Sequence, residues 1–235
     1  MIYLREVLRE EKKFLINYES YAKNSMFIEK VLTNDEHNGF LGYKVRSLYF
    51  DTLGNKDYNE KNDGVELRRK IRIRVYNPSD DFAYLEMKQK QGKYQMKRSL
   101  KISKTDTLEL IKLNYDVLLK YDDAFASECF TIMSTQNYIP RAVVEYNRKA
   151  FIAKENNIRI TFDSQIVANE ANFNIFDEKL PLYPVFPYDS VVLEVKYNGF
   201  LLSYIKDIIN NVDKSELSVS KYCLARSASM EYVYC

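Results

Sequence analysis

Tryptophan is absent from this chain, histidine occurs once, and only three cysteines and six glycines are spread over 235 residues. Each scarcity removes a class of chemistry. Cys129, Cys223 and Cys235 are far apart and odd in number, so they form neither a disulfide framework nor a paired metal-ligand spacing. A reducing compartment is the natural setting. The single histidine, His37, lies in a polar stretch and reads as surface, so a Ser-His-Asp or Cys-His nucleophile is not expected. There is no Walker loop and no kinase glycine-rich loop. Residues Met1 to Glu6 lack an apolar signal core, and no apolar run approaches the roughly 20 residues that span a bilayer. A cytoplasmic chain without membrane insertion is expected. A net charge of +2 is too small for a general nucleic-acid coat, so no nucleic-acid partner is expected. Neither an internal repeat nor a linker-like stretch interrupts residues 1–235, which reads as one domain.

The charge that is present is segregated. In residues 64–76, the odd positions hold Val65, Leu67, Arg69, Ile71, Ile73 and Val75. The even positions hold Glu66, Arg68, Lys70, Arg72, Arg74 and Tyr76. This period of two belongs to a strand with one face for a core and four cations in a row on the other. Neighbours on one strand face lie about 7 Å apart. Each adjacent like-charge pair then costs roughly 2 kcal/mol at an effective dielectric of about 20, and about 0.6 kcal/mol in open water. The face is therefore either fully solvated or compensated by something strongly anionic.

Other segments repeat the alternation. Residues 3–16 read as a first strand, 18–33 as a helix, 45–52 as a second strand and 54–62 as a turn or short helix. Asn77-Pro78-Ser79-Asp80 is a turn, followed by a strand over 82–91 with Glu86, Lys88 and Lys90 on one face. After Gln91-Gly92, Lys93, Gln95, Lys97, Ser99 and Lys101 share a face, and Arg98 breaks the apolar parity. Residues 105–135 read as two helices, 139–151, 157–163 and 190–197 as strands, and 170–188 as a loop with three prolines. Residues 200–211 and 217–231 close the chain as helices. Short turns between strands predict antiparallel pairing.

Charged faces sharing one composition suit the interior of a closed antiparallel barrel, with the apolar faces turned outward under helices. The expected fold is α+β, a closed β-barrel with a charged lumen and a helical jacket. A cationic lumen suits phosphate chains, which arginine binds through paired donors. Glu11, Glu86 and Glu194 would each lie among cations. They either pair with those cations or offer oxygen to a hard divalent metal.

Several motifs, in order, resemble the catalytic domain of the vacuolar transporter chaperone (VTC) family, the polyphosphate polymerase branch of the triphosphate tunnel metalloenzymes. They are Arg9-x-Glu11-x-Lys13-Phe14, Val45 to Thr52 around Tyr49-Phe50-Asp51, Arg72-Ile73-Arg74, Leu85-Glu86-Met87-Lys88, Tyr146-Asn147-Arg148, Arg159-Ile160, Leu193-Glu194-Val195-Lys196 and Ser220-Lys221-Tyr222. The resemblance covers about residues 5–226. It implies that Lys13, Arg72, Arg74, Lys88, Arg148, Arg159 and Lys221 contact phosphate, with Arg9, Lys97 and Lys196 as further contacts. It implies Glu194 as a ligand for Mn²⁺ or Mg²⁺, with Glu11 as a second. ATP, pyrophosphate, triphosphate or polyphosphate is the implied partner. The implied activity is phosphoryl transfer to a growing chain. A triphosphatase and a non-catalytic binding module are the alternatives. Arg46 lies on the apolar parity and stays outside this set, while Tyr49 and Asp51 read as structural hydrogen-bonding residues. Arg68 and Lys70 match no motif and would line a tunnel mouth. The family's polymerases carry a second lysine where this chain has Ser218, which bears on processive synthesis.

Overall fold

The computed structural model describes residues 9–92, 94–210, 215–216 and 220–230. The strands are β1 (Arg9–Asn17), β2 (Thr33–Asn34), β3 (Tyr43–Thr52), β4 (Leu67–Val75), β5 (Phe82–Gln91), β6 (Tyr94–Ser103), β7 (Tyr138–Ala153), β8 (Ile158–Asn169), β9 (Tyr183–Pro184), β10 (Ser190–Asn198) and β11 (Ser215–Glu216). The helices are α1 (Tyr18–Val31), α2 (Lys56–Asn62), α3 (Lys104–Ile111), α4 (Ala124–Thr135), α5 (Ser203–Asn210) and α6 (Lys221–Met230). The fold is mixed α+β, built on a large antiparallel sheet. The chain divides into two compact units. Unit 1 takes residues 1–44, 146–166 and 186–220, and unit 2 takes 45–145, 167–185 and 221–235.

In unit 1 the strand order is β11-β1-β10-β8-β7, with β2 pairing β7. Its core joins Phe14 and Ile16 of β1, Ile160 and Phe162 of β8, and Val191, Leu193 and Val195 of β10 to Ile28 of α1 and Ile205, Ile208 and Ile209 of α5. Asn17 caps α1, its side chain accepting from the Ser20 amide at 2.7 Å. Gly42 is backbone-forced: its φ is +86°, and a Cβ there would lie 2.2 Å from the Arg148 carbonyl oxygen.

In unit 2 the order is β7-β3-β4-β5-β6, with β9 pairing β8. Leu48 faces Ile73, Phe50 faces Ile71, and Ile73 faces Leu85 across successive ladders. These side chains pack with Leu110 of α3 and Phe125, Cys129 and Met133 of α4. Fully burying each such aliphatic side chain stabilises by about 1.5–3 kcal/mol. Burial pushes the Cys129 thiol up to about 12, as expected of a core cysteine.

Among the described residues the hydrogen-bonded path ends at β11 and at β6, so hydrogen bonds do not close the sheet into a barrel. Two-residue strands at 33–34, 183–184 and 215–216 extend the sheet where loop or helix was expected. Residues 115–120 form a 3₁₀ turn between the two expected helices. The basic strand starts at Leu67 rather than Gly64, and Val65 and Leu67 are 40% and 67% exposed. No helix among the described residues is long and apolar enough to cross a membrane.

Candidate functional site

Each unit carries a charged sheet face. In unit 1, β1 and β10 pair in a register that sets Glu11 opposite Lys196 and Lys13 opposite Glu194. The result is a checkerboard of alternating charge. Lys13 Nζ lies 2.8 Å from Glu11, and Lys196 Nζ lies 2.6 Å from Glu194 and 4.0 Å from Glu11. Burial opposes the Lys13 charge, but the Glu194, Glu11 and Asp163 carboxylates outweigh it and raise its pKa. β8 extends the same face, with Thr161 opposite Glu194 and Arg159 opposite Lys196. Arg148 forms a two-pronged pair with Asp163, Nε to Oδ1 at 2.7 Å and Nη2 to Oδ2 at 2.8 Å. Its guanidinium also lies 5.2 Å from the Tyr146 ring centroid. Arg159 donates to Asp35 at 2.8 Å and to the Tyr43 hydroxyl at 3.1 Å.

In unit 2, the ladders among β4, β5 and β6 place Arg68, Lys70, Arg72, Arg74, Lys88, Lys90, Lys97 and Lys101 on one face with a single carboxylate, Glu86. Lys70, Lys88 and Lys97 stand in one cross-strand row. Glu86 is 3% exposed and gathers its neighbours. Arg72 donates to its Oε2 from Nε at 2.8 Å and contacts it from Nη2 at 2.7 Å, Arg74 lies 3.8 Å away, and Lys97 holds Oε1. Burial would push the Glu86 carboxyl up. Arg72, Arg74 and Lys97 outweigh that and hold it down at about 2. Arg74 Nε donates to Ser47, and Arg72 Nη1 donates to the Tyr49 hydroxyl. Burial, with help from Arg72 and Arg74, lowers the Lys97 pKa despite Glu86.

The expected phosphate residues thus fall into two groups. Lys13, Arg148, Arg159 and Lys196 lie in unit 1, and Arg72, Arg74, Lys88, Lys97 and Lys221 lie in unit 2. The Arg9 side chain and Ser218 lie outside the described residues. Arg46 pairs with Glu145 at 2.7 Å and donates to the Ile175 and Asp177 carbonyls, a structural tie. Arg98, the parity exception, reaches Glu128 on α4 and Gln89 on β5. Asp51 accepts from the Asp57 and Tyr58 amides of α2 and from the Tyr222 hydroxyl. His37 is exposed and hydrogen-bonds Asp35.

Sequence reasoning missed Asp35 and Asp163, which hold Arg159 and Arg148. Asp163 shares the parity of Arg159 on β8, so a signal existed; Asp35 sits in a loop and carried none.

For a metal, Glu11 and Glu194 supply oxygen donors on adjacent strands, and the buried Thr161 hydroxyl opposite Glu194 has no partner. Among the described residues no three His, Cys, Asp or Glu side chains gather to hold an ion. This sparse oxygen set fits a magnesium-like cation, which takes one or two carboxylates and completes its shell with phosphate oxygens and water. It does not fit a closed protein cage.

No curated protein matches the chain in sequence. Among solved structures, a candidate adenylate cyclase from Bacillus halodurans aligns with a TM-score of 0.52 at 12% identity, covering 90% of this chain and 95% of that one. A similarly described Vibrio parahaemolyticus protein aligns with a TM-score of 0.46 at 11% identity, covering 89% and 94%. The first likeness supports the fold alone. The VTC domain matches residues 8–230, nearly the whole sequence, and the chain belongs to that family.

Proposed function

We propose that this chain is a phosphotransferase that moves the terminal phosphoryl group of ATP to phosphate or to a growing polyphosphate chain, releasing ADP. The closed basic tunnel implied by the family resemblance is part of this proposal. One observation carries it: the basic face of β4–β6 has a single carboxylate, Glu86, for its many cations. An anion-rich chain would suit a face of this composition. Arg72, Arg74, Lys88, Lys97 and Lys221, with Lys13, Arg148, Arg159 and Lys196, would contact phosphate oxygens. Arginine's fork gives paired donors to each phosphate, which fixes orientation as well as charge. Phosphoryl transfer asks the protein mainly for in-line positioning and for stabilisation of spreading negative charge. Arg72 and Arg74 are pre-aimed by Glu86, Tyr49 and Ser47, so little reorganisation is needed when phosphate takes over those donors.

Glu194 and Glu11 would hold Mg²⁺ or Mn²⁺. The ion would neutralise phosphate oxygens and fix their orientation. The lysines beside both carboxylates hold them in place.

A triphosphatase using the same cations, with water as acceptor, is the second reading. Ser218 favours it, because this chain lacks one lysine found in the family's polymerases.

Purified protein incubated with ATP and Mn²⁺ or Mg²⁺ separates these readings. Long phosphate chains on a gel support polymer synthesis. Orthophosphate from tripolyphosphate, without chains, supports the triphosphatase. Tight binding with neither product leaves a binding module. Glu194→Ala should abolish the metal-dependent rate; full activity in that variant would remove the glutamate from the metal role.

A further inference from the structure

Tyr49 sits on the charged face of unit 2 and helps aim Arg72, but has no contact with ligand in the phosphate reading so far. It is 6% exposed. Its hydroxyl accepts from Arg72 Nη1 at 3.1 Å, and the same guanidinium lies 5.8 Å from its ring centroid. The ring stacks on Tyr222 at 5.3 Å, with 24° between the planes. Tyr222 is itself pinned, donating to Asp51 Oδ2 at 2.7 Å. The phenol is therefore held in place from two sides.

A phenol both accepts and donates. The accepting side of Tyr49 is used by Arg72. Among the described residues, no acceptor takes the Tyr49 proton. Leaving a buried donor unmet is costly, so the arrangement calls for an acceptor. The groups around Tyr49 do not provide one. From β4, Arg72 and Arg74 face it; from α6, Lys221 and Tyr222 do. On β3 itself, Ser47 receives Arg74, and Asp51 is engaged by α2 and Tyr222. Glu86 on β5 is tied to Arg72.

We propose that Tyr49 is a further phosphate-binding residue, donating its hydroxyl proton to a phosphate oxygen held by Arg72, so that phosphate chains bind best while the phenol keeps its proton. This deepens the phosphotransferase reading and rests on it. Ionisation would replace the donor with a negative charge beside the ligand. Burial pushes the phenol up, but Arg72 and Arg74, then Lys221, pull it down to about 8. The switch therefore falls on the alkaline side of neutrality.

The test is tripolyphosphate binding by calorimetry, with wild type and Tyr49→Phe, from about pH 6.5 to 9.5. Wild type should bind progressively more weakly above about pH 8. Tyr49→Phe should bind about five- to tenfold more weakly at pH 7 and lack the alkaline loss. The ultraviolet signal of tyrosinate gives a second readout. The wild-type minus Tyr49→Phe difference isolates this phenol from the other tyrosines. By reciprocity, tripolyphosphate should move its midpoint upward, about one pH unit for a tenfold coupling. If the variant is unstable, the earliest-ionising tyrosine of wild type alone must show that shift. A variant that matches wild type at every pH, or a midpoint unmoved by ligand, overturns the inference. If Arg72→Ala loses binding while Tyr49→Phe does not, the role of Tyr49 falls and the phosphate reading stands. A folded wild type that binds no tripolyphosphate overturns both.

Discussion

Glu86 shows how one residue can organise a basic face. Arg72, Arg74 and Lys97 hold its carboxyl at about 2 against burial, from the usual 4.5. That difference corresponds to about 3 kcal/mol. Because the folded value lies below the unfolded one, the stabilisation is complete above about pH 4.5 and is lost as pH falls toward 2. Glu86→Gln should therefore destabilise by about 3 kcal/mol at neutral pH, measured by urea melts, since its cations lose their buried partner. Tripolyphosphate should restore more stability to this variant than it adds to wild type, because the ligand replaces the missing anion. Equal ligand effects would separate Glu86 from the phosphate face. Asp57 behaves in the opposite sense. Its Oδ2 is buried without a partner, and burial together with Asp51 pushes its pKa up to about 7, although the Tyr138 hydroxyl binds Oδ1. The folded chain holds this proton more tightly than the unfolded one. Its contribution is greatest below pH 3.8 and declines as pH rises through about 7. Asp57→Asn should raise the melting temperature at pH 8, with the gain shrinking toward pH 4. An unchanged pH slope would contradict this assignment.

At the scale of elements, alternation along β4 marks the core only where neighbouring strands cover it. Ile71 and Ile73 are fully buried, whereas Leu67 on the same parity is 67% exposed. Ile73→Ala should cost about 2–5 kcal/mol in chemical denaturation, and Leu67→Ala less than about 0.5 kcal/mol. Asp123 caps α4 by accepting from the Phe125 and Ala126 amides, so Asp123→Ala should cost about 1 kcal/mol and leave tripolyphosphate affinity unchanged. Period two made the long strands legible, and it grouped Arg72 with Arg74 and Glu194 with Lys196 before any coordinates. It failed for β2, β9 and β11, since two residues cannot display a period. It marked Arg98 as a misfit but could not name Glu128, which arrives from α4. Asp35 was illegible for the same reason: its bond to Arg159 is made by tertiary closure across 124 positions. Sequence parity also cannot say where a sheet's hydrogen bonding ends, so closure of the barrel lay beyond it.

For the whole molecule, a net charge of +2 conceals faces of very different sign balance. In unit 1 the cations meet Glu11, Glu194, Asp163 and Asp35 nearly one for one. In unit 2 one carboxylate serves the basic face of β4–β6. Within the ladders of β4–β6, Glu86 is the carboxylate set against the row of cations first read along residues 64–76. Long-range charge of this kind should give binding that weakens steeply with salt. The most direct measurement is calorimetric binding of tripolyphosphate to wild type and to the double variant Arg72→Ala with Arg74→Ala, at low and physiological ionic strength. Each lost charge-assisted contact is worth about 1.5–3 kcal/mol, so the double variant should bind at least about 100-fold more weakly and with a shallower salt dependence. A folded double variant that binds as tightly as wild type would contradict the assignment of this face to phosphate.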